Sequence, residues 1–223
     1  MIVHNDAPVT LVGGGDLSDR DLAAAVRLAP SVVAADGGAR ACLARGIEPL
    51  AVIGDMDSIG AELRAALPAA ALHEIAEQDS TDFDKALRNI AAPLVLGVGF
   101  LGDRLDHQLA ALNTLVRHPG RACVLIGGGD LVFLCPPALR LPLDPGCRVS
   151  FFPMGAVEGT SDGLDWPVSG IGFAPDGRVG TSNRAQGEVF VSVTAPKMLM
   201  LLPDRTLETV VTALAARPVA GWD

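Results

Sequence analysis

Residues Ala51–Lys85 read AVIGDMDSIGAELRAALPAAALHEIAEQDSTDFDK, and this stretch decides how the rest of the chain is read. Four aspartates in it look placed for chemistry: Asp55, Asp57, Asp79 and Asp82. Asp55 and Asp57 follow the apolar run Ala51-Val52-Ile53. If that run is a buried strand, period-two alternation puts both carboxylates on one side of its C-terminal end. Two carboxylates about 5 Å apart repel by roughly 3 kcal/mol at an effective dielectric near 20. A divalent cation turns that cost into a gain, and Mg²⁺ favours a few carboxylates together with phosphate oxygens. The alternative is that Asp57-Ser58 simply caps the next helix. From the motif alone both readings stand.

Composition narrows the field. A chain of 223 residues fits one large domain or two small ones, and 49% apolar residues supply a sizeable core. A net charge of −9 argues against a nucleic-acid partner and suits a cationic ligand or metal-bridged phosphates. No apolar run reaches the roughly 20 residues of a membrane span, and the start MIVHNDAP lacks a signal-peptide core. Four scattered cysteines without a C-x-x-C read as reduced packing residues, which predicts a cytoplasmic protein.

Outward from the opening stretch, the pattern alternates strand and helix. Val9–Val12 predicts a strand ending in Gly13-Gly14-Gly15-Asp16, then a helix capped by Ser18 or Asp19. The glycines match neither a P-loop nor a complete dinucleotide fingerprint, so a plain turn is the simpler reading. Ser31–Ala35 predicts a second strand ended by Asp36, with Gly37-Gly38 leading into a short helix. Thr81-x-x-Asp84 resembles a capping box. Phe83, Ala86, Leu87 and Ile90 then fall on one helix face. Acids in a first turn complement the helix dipole, which explains one or two of Asp79, Asp82 and Asp84 but is less satisfying for all three.

Residues 93–99 predict another strand. The run Gly102-Asp103-Arg104-Leu105-Asp106-His107 follows, with Asp106 as the expected N-cap of the next helix. Arg at such a turn can fork onto phosphate oxygens. The whole alternation implies a parallel α/β sheet with ligands at the strand C-termini, placing Asp36 and the Asp55/Asp57 pair on one edge. From Cys135 onward prolines and short alternating runs predict a smaller antiparallel β domain, a sandwich or barrel. The expected boundary separates an α/β domain, 1–134, from a β domain, 135–223, whose last segment after Pro203 reads as a helix with Leu207, Val210, Val211 and Leu214 inward. Trp166, as a lone tryptophan, reads first as core.

Five motifs in order resemble the thiamine pyrophosphokinase (thiamin diphosphokinase) family: Ala35-Asp36-Gly37-Gly38-Ala39, Ile53-Gly54-Asp55-Met56-Asp57-Ser58, Gln78-Asp79-Ser80-Thr81-Asp82-Phe83, Gly102-Asp103-Arg104-Leu105-Asp106-His107 and Thr181-Ser182-Asn183. The resemblance implies a Rossmann-like N-terminal α/β domain carrying ATP and metal, a C-terminal antiparallel β-sandwich, and a homodimer with shared thiamine pockets. It implies transfer of the pyrophosphoryl group of ATP to the thiamine hydroxyl, releasing AMP. In that light Asp55, Asp57 and Asp82 are expected to hold Mg²⁺, with Asp79 and Asp36 nearby. Asp36, Gly37, Gly38, Arg104 and His107 are expected at the nucleotide. Asp82 or Asp106 is expected to accept a hydrogen bond from the attacking hydroxyl. Gln78, Trp166, Ser182 and Asn183 are expected at the acceptor, with Trp166 stacking on the flat cation. Two other readings share features: a pyrophosphokinase for another hydroxymethyl heterocycle such as a pterin, and a non-catalytic nucleotide- or thiamine-binding module.

Overall fold

The structure, a computed structural model, describes residues 1–215 and Trp222. The chain is mixed α/β and divides into two compact units, residues 1–114 with 125–128, and residues 115–124 with 129 onward.

The first unit runs β1 (Val3–His4), β2 (Val9–Val12), α1 (Asp19–Leu28), β3 (Ser31–Ala35), α2 (Gly38–Leu43), β4 (Ala51–Gly54), α3 (Ala61–Ala65), β5 (Leu72–Glu74), α4 (Asp82–Arg88), β6 (Ile90–Ala91), β7 (Val95–Val98), α5 (Leu105–Arg117) and β8 (Cys123–Gly127), the last two straddling the division. The pairings β2–β7, β3–β4, β4–β5 and β1–β6 are all parallel, and β3 lies alongside β2. Strands β2, β4 and β7 are buried at every position, as expected for short apolar runs covered on both faces. Ser18 caps α1 by accepting from the Asp21 N–H. At the other end of that helix the Thr10 hydroxyl donates to the Ala29 carbonyl at 2.7 Å and ties α1 to β2.

Close backbone approach brings the strand ends together. A Cβ on Gly38 would lie 2.1 Å from the Val12 carbonyl oxygen, and one on Gly54 would lie 2.7 Å from the Asp36 Cβ. Only glycine at these two positions lets the turn after β3 pack against β2 and the end of β4.

The second unit contains β9 (Asp130–Leu134), β10 (Ala138–Pro142), β11 (Arg148–Pro153), β12 (Val157–Leu164), β13 (Ile171–Phe173), β14 (Gly180–Val193), β15 (Met198–Pro203) and α6 (Leu207–Ala215). Strand β14 is the spine. Its first half pairs antiparallel with β11 (Arg148↔Arg184), and its second half with β10 (Leu139↔Val191) and β12 (Ser161↔Val191). Strand β15 joins β11 to β9, also antiparallel, which draws β9 into this unit. In β10 the period-two pattern is clean: Leu139 and Leu141 are buried between exposed neighbours. Helix α6 buries Leu207, Val210, Val211 and Leu214, the expected stripe, each side chain contributing roughly 1.5–3 kcal/mol. The expected helix beyond Ala215 lies outside the described residues except for Trp222, whose indole N–H donates to the Cys135 carbonyl at 3.0 Å.

Three local expectations are corrected. Helix α4 stops at Arg88, and Ile90 enters β6, so its apparent place on the helix face serves a strand. Asp106 is inside the first turn of α5 and does not cap it. Strand β4 ends at Gly54, so Asp55 and Asp57 are not brought together by strand alternation. A turn with Met56 in the left-handed region, φ 65°, does that instead.

Candidate active site

The acids converge where strands of the first unit end. Asp36 follows β3 with a positive φ of 38°, a conformation that costs a non-glycine residue of the order of 1–2 kcal/mol. Its side chain is buried. One oxygen accepts from the Ser58 N–H at 3.2 Å, and the other has no hydrogen-bond partner among the described residues. Carboxylate oxygens of Asp36, Asp55 and Asp57 all lie within 4.8 Å of one another. The Ser58 hydroxyl donates to Asp57 at 2.9 Å, and the Asp57 N–H lies 3.4 Å from Asp55 Oδ1. A buried carboxylate oxygen left without a donor, beside two more carboxylates, is a donor set that fits a small hard divalent cation. Asp36, expected near the Asp55/Asp57 pair, lies within this group.

Asp82 has a different partner. The Lys85 ammonium, 1% exposed, donates to Asp55 Oδ2 at 2.9 Å and to Asp82 Oδ1 at 3.2 Å. Helix α4 makes this possible. Thr81 caps it by accepting from the Asp84 N–H, Phe83, Ala86 and Leu87 anchor it in the core, and Asp82 and Lys85 then share a face at i, i+3. The sequence reading missed Lys85. Its spacing from Asp82 was visible, but its bond to Asp55, thirty positions away, requires the fold. Gln78 donates to the same Asp55 oxygen at 3.3 Å. Asp79 is exposed and stands outside both the carboxylate group and the cavity lining.

The electrostatics follow from these contacts. The hydrogen bond from Lys85 holds the Asp55 carboxyl below its ordinary pKa, against some desolvation. Burial pushes the Asp82 carboxyl up, against the hydrogen bond from Lys85, and the nearby charges of Asp55 and Asp36 add to the rise. For Lys85 burial acts downward, but the hydrogen bonds to the two aspartates more than offset it and the pKa is raised.

Beside the acids lies a cavity of about 530 Å³ lined by Gly14, Gly15, Asp36, Gly37, Arg40, Ser58, Ser80, Thr81, Asp82, Phe83, Phe100, Arg104 and His107, among others. The rings of Phe83 and Phe100 pack at 4.4 Å between centroids. Gly38, expected at the nucleotide, is not among the lining residues and packs against Val12 of β2. Arg104 makes a two-pronged ion pair with Asp106, at 2.6 and 3.2 Å, and both side chains are largely exposed. That hydrogen bond holds the Asp106 carboxyl low. His107 lines the cavity from the first turn of α5.

In the second unit, Trp166 is not core: it is 56% exposed. Asn183 is the buried partner. Its Oδ1 accepts from the Trp166 N–H at 3.1 Å and its Nδ2 donates to the Trp166 carbonyl at 2.6 Å, so this side chain clamps the Trp166 backbone. Ser182 is exposed at φ 63°, its N–H donating to the Ser150 hydroxyl at 3.0 Å. Thr181 and Asn183 line a second, smaller cavity with Trp166.

The Lys85–Asp55 pair has a pH signature. Asp55 has a folded-state pKa below its unfolded value of about 3.9, so its contribution is complete above about pH 4 and is lost as pH falls through the depressed value. Lys85 is raised, so its contribution is complete below about pH 10. Lys85→Met is expected to lose about 3–5 kcal/mol of stability at pH 7 in urea titrations, as breaking a buried pair does. The gap to the unsubstituted protein should narrow as pH is lowered from 5 to 3. A gap that stays constant over that range contradicts the assignment.

Known proteins share both halves of the chain. The family model described as thiamin pyrophosphokinase, catalytic domain, matches residues 22–125, and that described as thiamin pyrophosphokinase, vitamin B1 binding domain, matches residues 138–198. Thiamine pyrophosphokinase 1 of Arabidopsis thaliana is 29% identical over 160 residues, 63% of this chain and 60% of that protein. Thiamine pyrophosphokinase 1 of Oryza sativa subsp. japonica is 28% identical over 172 residues, 69% of this chain and 65% of that protein. The matches thus span somewhat less than two thirds of those plant relatives. In fold, the crystal structure of thiamin pyrophosphokinase from Geobacillus thermodenitrificans superposes with a TM-score of 0.73 at 23% identity, covering 88% of this chain and 97% of that one. Thiamin pyrophosphokinase from Candida albicans gives 0.75 at 16% identity, covering 91% and 93%. With a catalytic and a vitamin-binding match in the family's order, on a fold shared with its solved members, the chain belongs to the thiamin pyrophosphokinase family.

Proposed function

We propose that this chain transfers the pyrophosphoryl group of ATP to the hydroxyl of thiamine, giving thiamine diphosphate and AMP. The observation that carries this reading is the convergence of Asp36, Asp55 and Asp57 beside a cavity that also holds Arg40 and Arg104. Transfer of a diphosphate demands charge neutralisation around its oxygens, supplied by positioning and electrostatics rather than by covalent intermediates. Asp36, Asp55 and Asp57 would hold Mg²⁺, which supplies part of that neutralisation when bound. Arg104 and Arg40 would donate to phosphate oxygens. Arg104 must first leave Asp106, a move made easy by the exposure of both side chains.

The acceptor oxygen forms a bond to the β-phosphorus, and the bond between that phosphorus and the oxygen bridging to the α-phosphorus breaks. The bridging oxygen departs on AMP, and the hydroxyl proton goes to a carboxylate. Of the two candidates, Asp82 suits this role better than Asp106. Asp82 lines the cavity with a carboxyl whose proton affinity is raised by burial, while Asp106 is committed to Arg104 and has a lowered one.

On the same reading, the first unit is a Rossmann-like nucleotide domain and the second a β-sandwich through which β14 passes. Trp166 and Ser182 would contact the acceptor, Asn183 would hold Trp166 in place, and Gln78 would act through Asp55. A cytoplasmic setting is supported by four buried cysteines, none of them in a disulfide. No helix among the described residues is long and apolar enough to cross a membrane. A homodimer is supported by Leu105 and Leu109, exposed one turn apart on α5. Sedimentation at micromolar concentration should give a dimer, and a monomer alone contradicts that part.

Incubation with ATP, Mg²⁺ and thiamine should yield AMP and thiamine diphosphate. ADP as the nucleotide product would mean monophosphoryl transfer, turnover only with a pterin would reassign the acceptor, and tight binding without turnover would make the chain a binding module. Asp55→Asn should lower kcat by at least about a hundredfold, in line with loss of one electrostatic stabiliser. Near-normal turnover in a folded variant removes Asp55 from the site.

A further inference from the structure

The face of Trp166 already carries a cation. The Arg184 guanidinium carbon sits 5.3 Å from the ring centroid, and its Nε donates to Asp165 Oδ2 at 2.9 Å. The indole is held outward by two hydrogen bonds between the buried Asn183 side chain and the Trp166 backbone. It borders a cavity of about 190 Å³ whose other walls include Val168, Ile171, Phe173, Thr181 and a further cation, Arg178. A guanidinium over an aromatic face makes the same contact that a flat cationic heterocycle would make there.

We propose that Arg184 is a specificity-determining residue: it occupies the Trp166 face and sets how strongly a positively charged acceptor ring is bound relative to a neutral ring of the same shape. This rests on the reading of Trp166 as an acceptor contact. A charged ring must displace Arg184 from the indole and then remain beside its positive charge. A neutral ring meets no such repulsion and can lie against the guanidinium plane. Asp165 sets the balance, because its carboxylate anchors Arg184 in place and partly neutralises it. The residue's backbone stays within β14 whatever its side chain, since its own main-chain atoms make the pairing with Arg148 and the N–H donation to the Asn183 side-chain oxygen Oδ1 at 2.9 Å.

The test is calorimetric binding of two probes, thiamine and 3-deazathiamine, in which a neutral thiophene replaces the thiazolium. Binding is read directly, so the result does not depend on turnover. Arg184→Gln should tighten thiamine by about threefold to tenfold, the range expected for one cation–π competitor, and tighten the neutral analogue distinctly less. Arg184→Lys keeps the charge without the planar stack and should fall between. Asp165→Asn, which frees the Arg184 anchor without altering Arg184, should shift the ratio of the two affinities and serves if Arg184→Gln does not fold. Trp166→Ala should weaken both probes. An unchanged affinity ratio in Arg184→Gln with Trp166→Ala still weakening binding overturns the role of Arg184 alone. No effect of Trp166→Ala on either probe overturns the acceptor contact at Trp166 and the role of Arg184 with it. Whether AMP forms is a separate measurement that bears on the reaction and leaves this result standing.

Discussion

Everything at the site depends on one ammonium placed between two carboxylates. Asp36, Asp55, Asp57 and Asp82 bring four potential negative charges to neighbouring strand ends, and like charges at such spacing repel by several kcal/mol at a low effective dielectric. Lys85 is the internal cation that makes the crowding tolerable. It is inserted almost completely into the protein, bonded to Asp55 and Asp82, and fixed by a helix whose apolar residues are themselves core. It does not reach the second oxygen of Asp36, which has no hydrogen-bond partner among the described residues. On the proposed reading, a bound divalent cation would complete the neutralisation of this cluster.

The fold serves this arrangement through backbone approach. Parallel strands end level, so the residues following β3 and β4 meet. The absence of side chains at Gly38 and Gly54 lets the turns touch, and strained φ values at Asp36 and Met56 aim the carboxylates. Strain of this kind persists only where surrounding structure over-determines it, and it collects at functional sites. The second unit is built by a different rule, period-two burial on antiparallel strands. Its notable polar feature is again an over-determined one: a buried asparagine used to present an exposed tryptophan.

Much of this was legible in the sequence. Short apolar runs ended by glycine and aspartate marked the parallel strands, and Thr81 with Asp84 marked the start of α4. The change to proline-punctuated alternation marked the antiparallel unit. The aspartates stood out because five of them fall between Asp55 and Asp84. What stayed hidden was anything that required one segment to reach another. Lys85 looks like an ordinary polar helix residue until β4 delivers Asp55 to it. Spacing along the chain likewise does not show that Asp36 comes within 4.8 Å of Asp55 and Asp57, or that Lys85 pairs with Asp82. Trp166 followed the usual expectation for a lone tryptophan, and only the clamp from Asn183, seventeen residues on, turns it outward. Ile90 shows the limit of periodicity: its helical spacing was real, but the helix ended two residues earlier.

The central claim is that the clustered acids and the adjoining cavity receive a metal-bound triphosphate. A crystal structure with Mg²⁺ and α,β-methylene-ATP, which cannot be cleaved at the bond the reaction breaks, tests it most directly. The account predicts an ion about 2.0–2.1 Å from carboxylate oxygens of Asp36, Asp55 or Asp57 and from β- or γ-phosphate oxygens, with Lys85 still bonded to Asp55. A triphosphate bound away from these aspartates, or bound among them with no ion present, would contradict it.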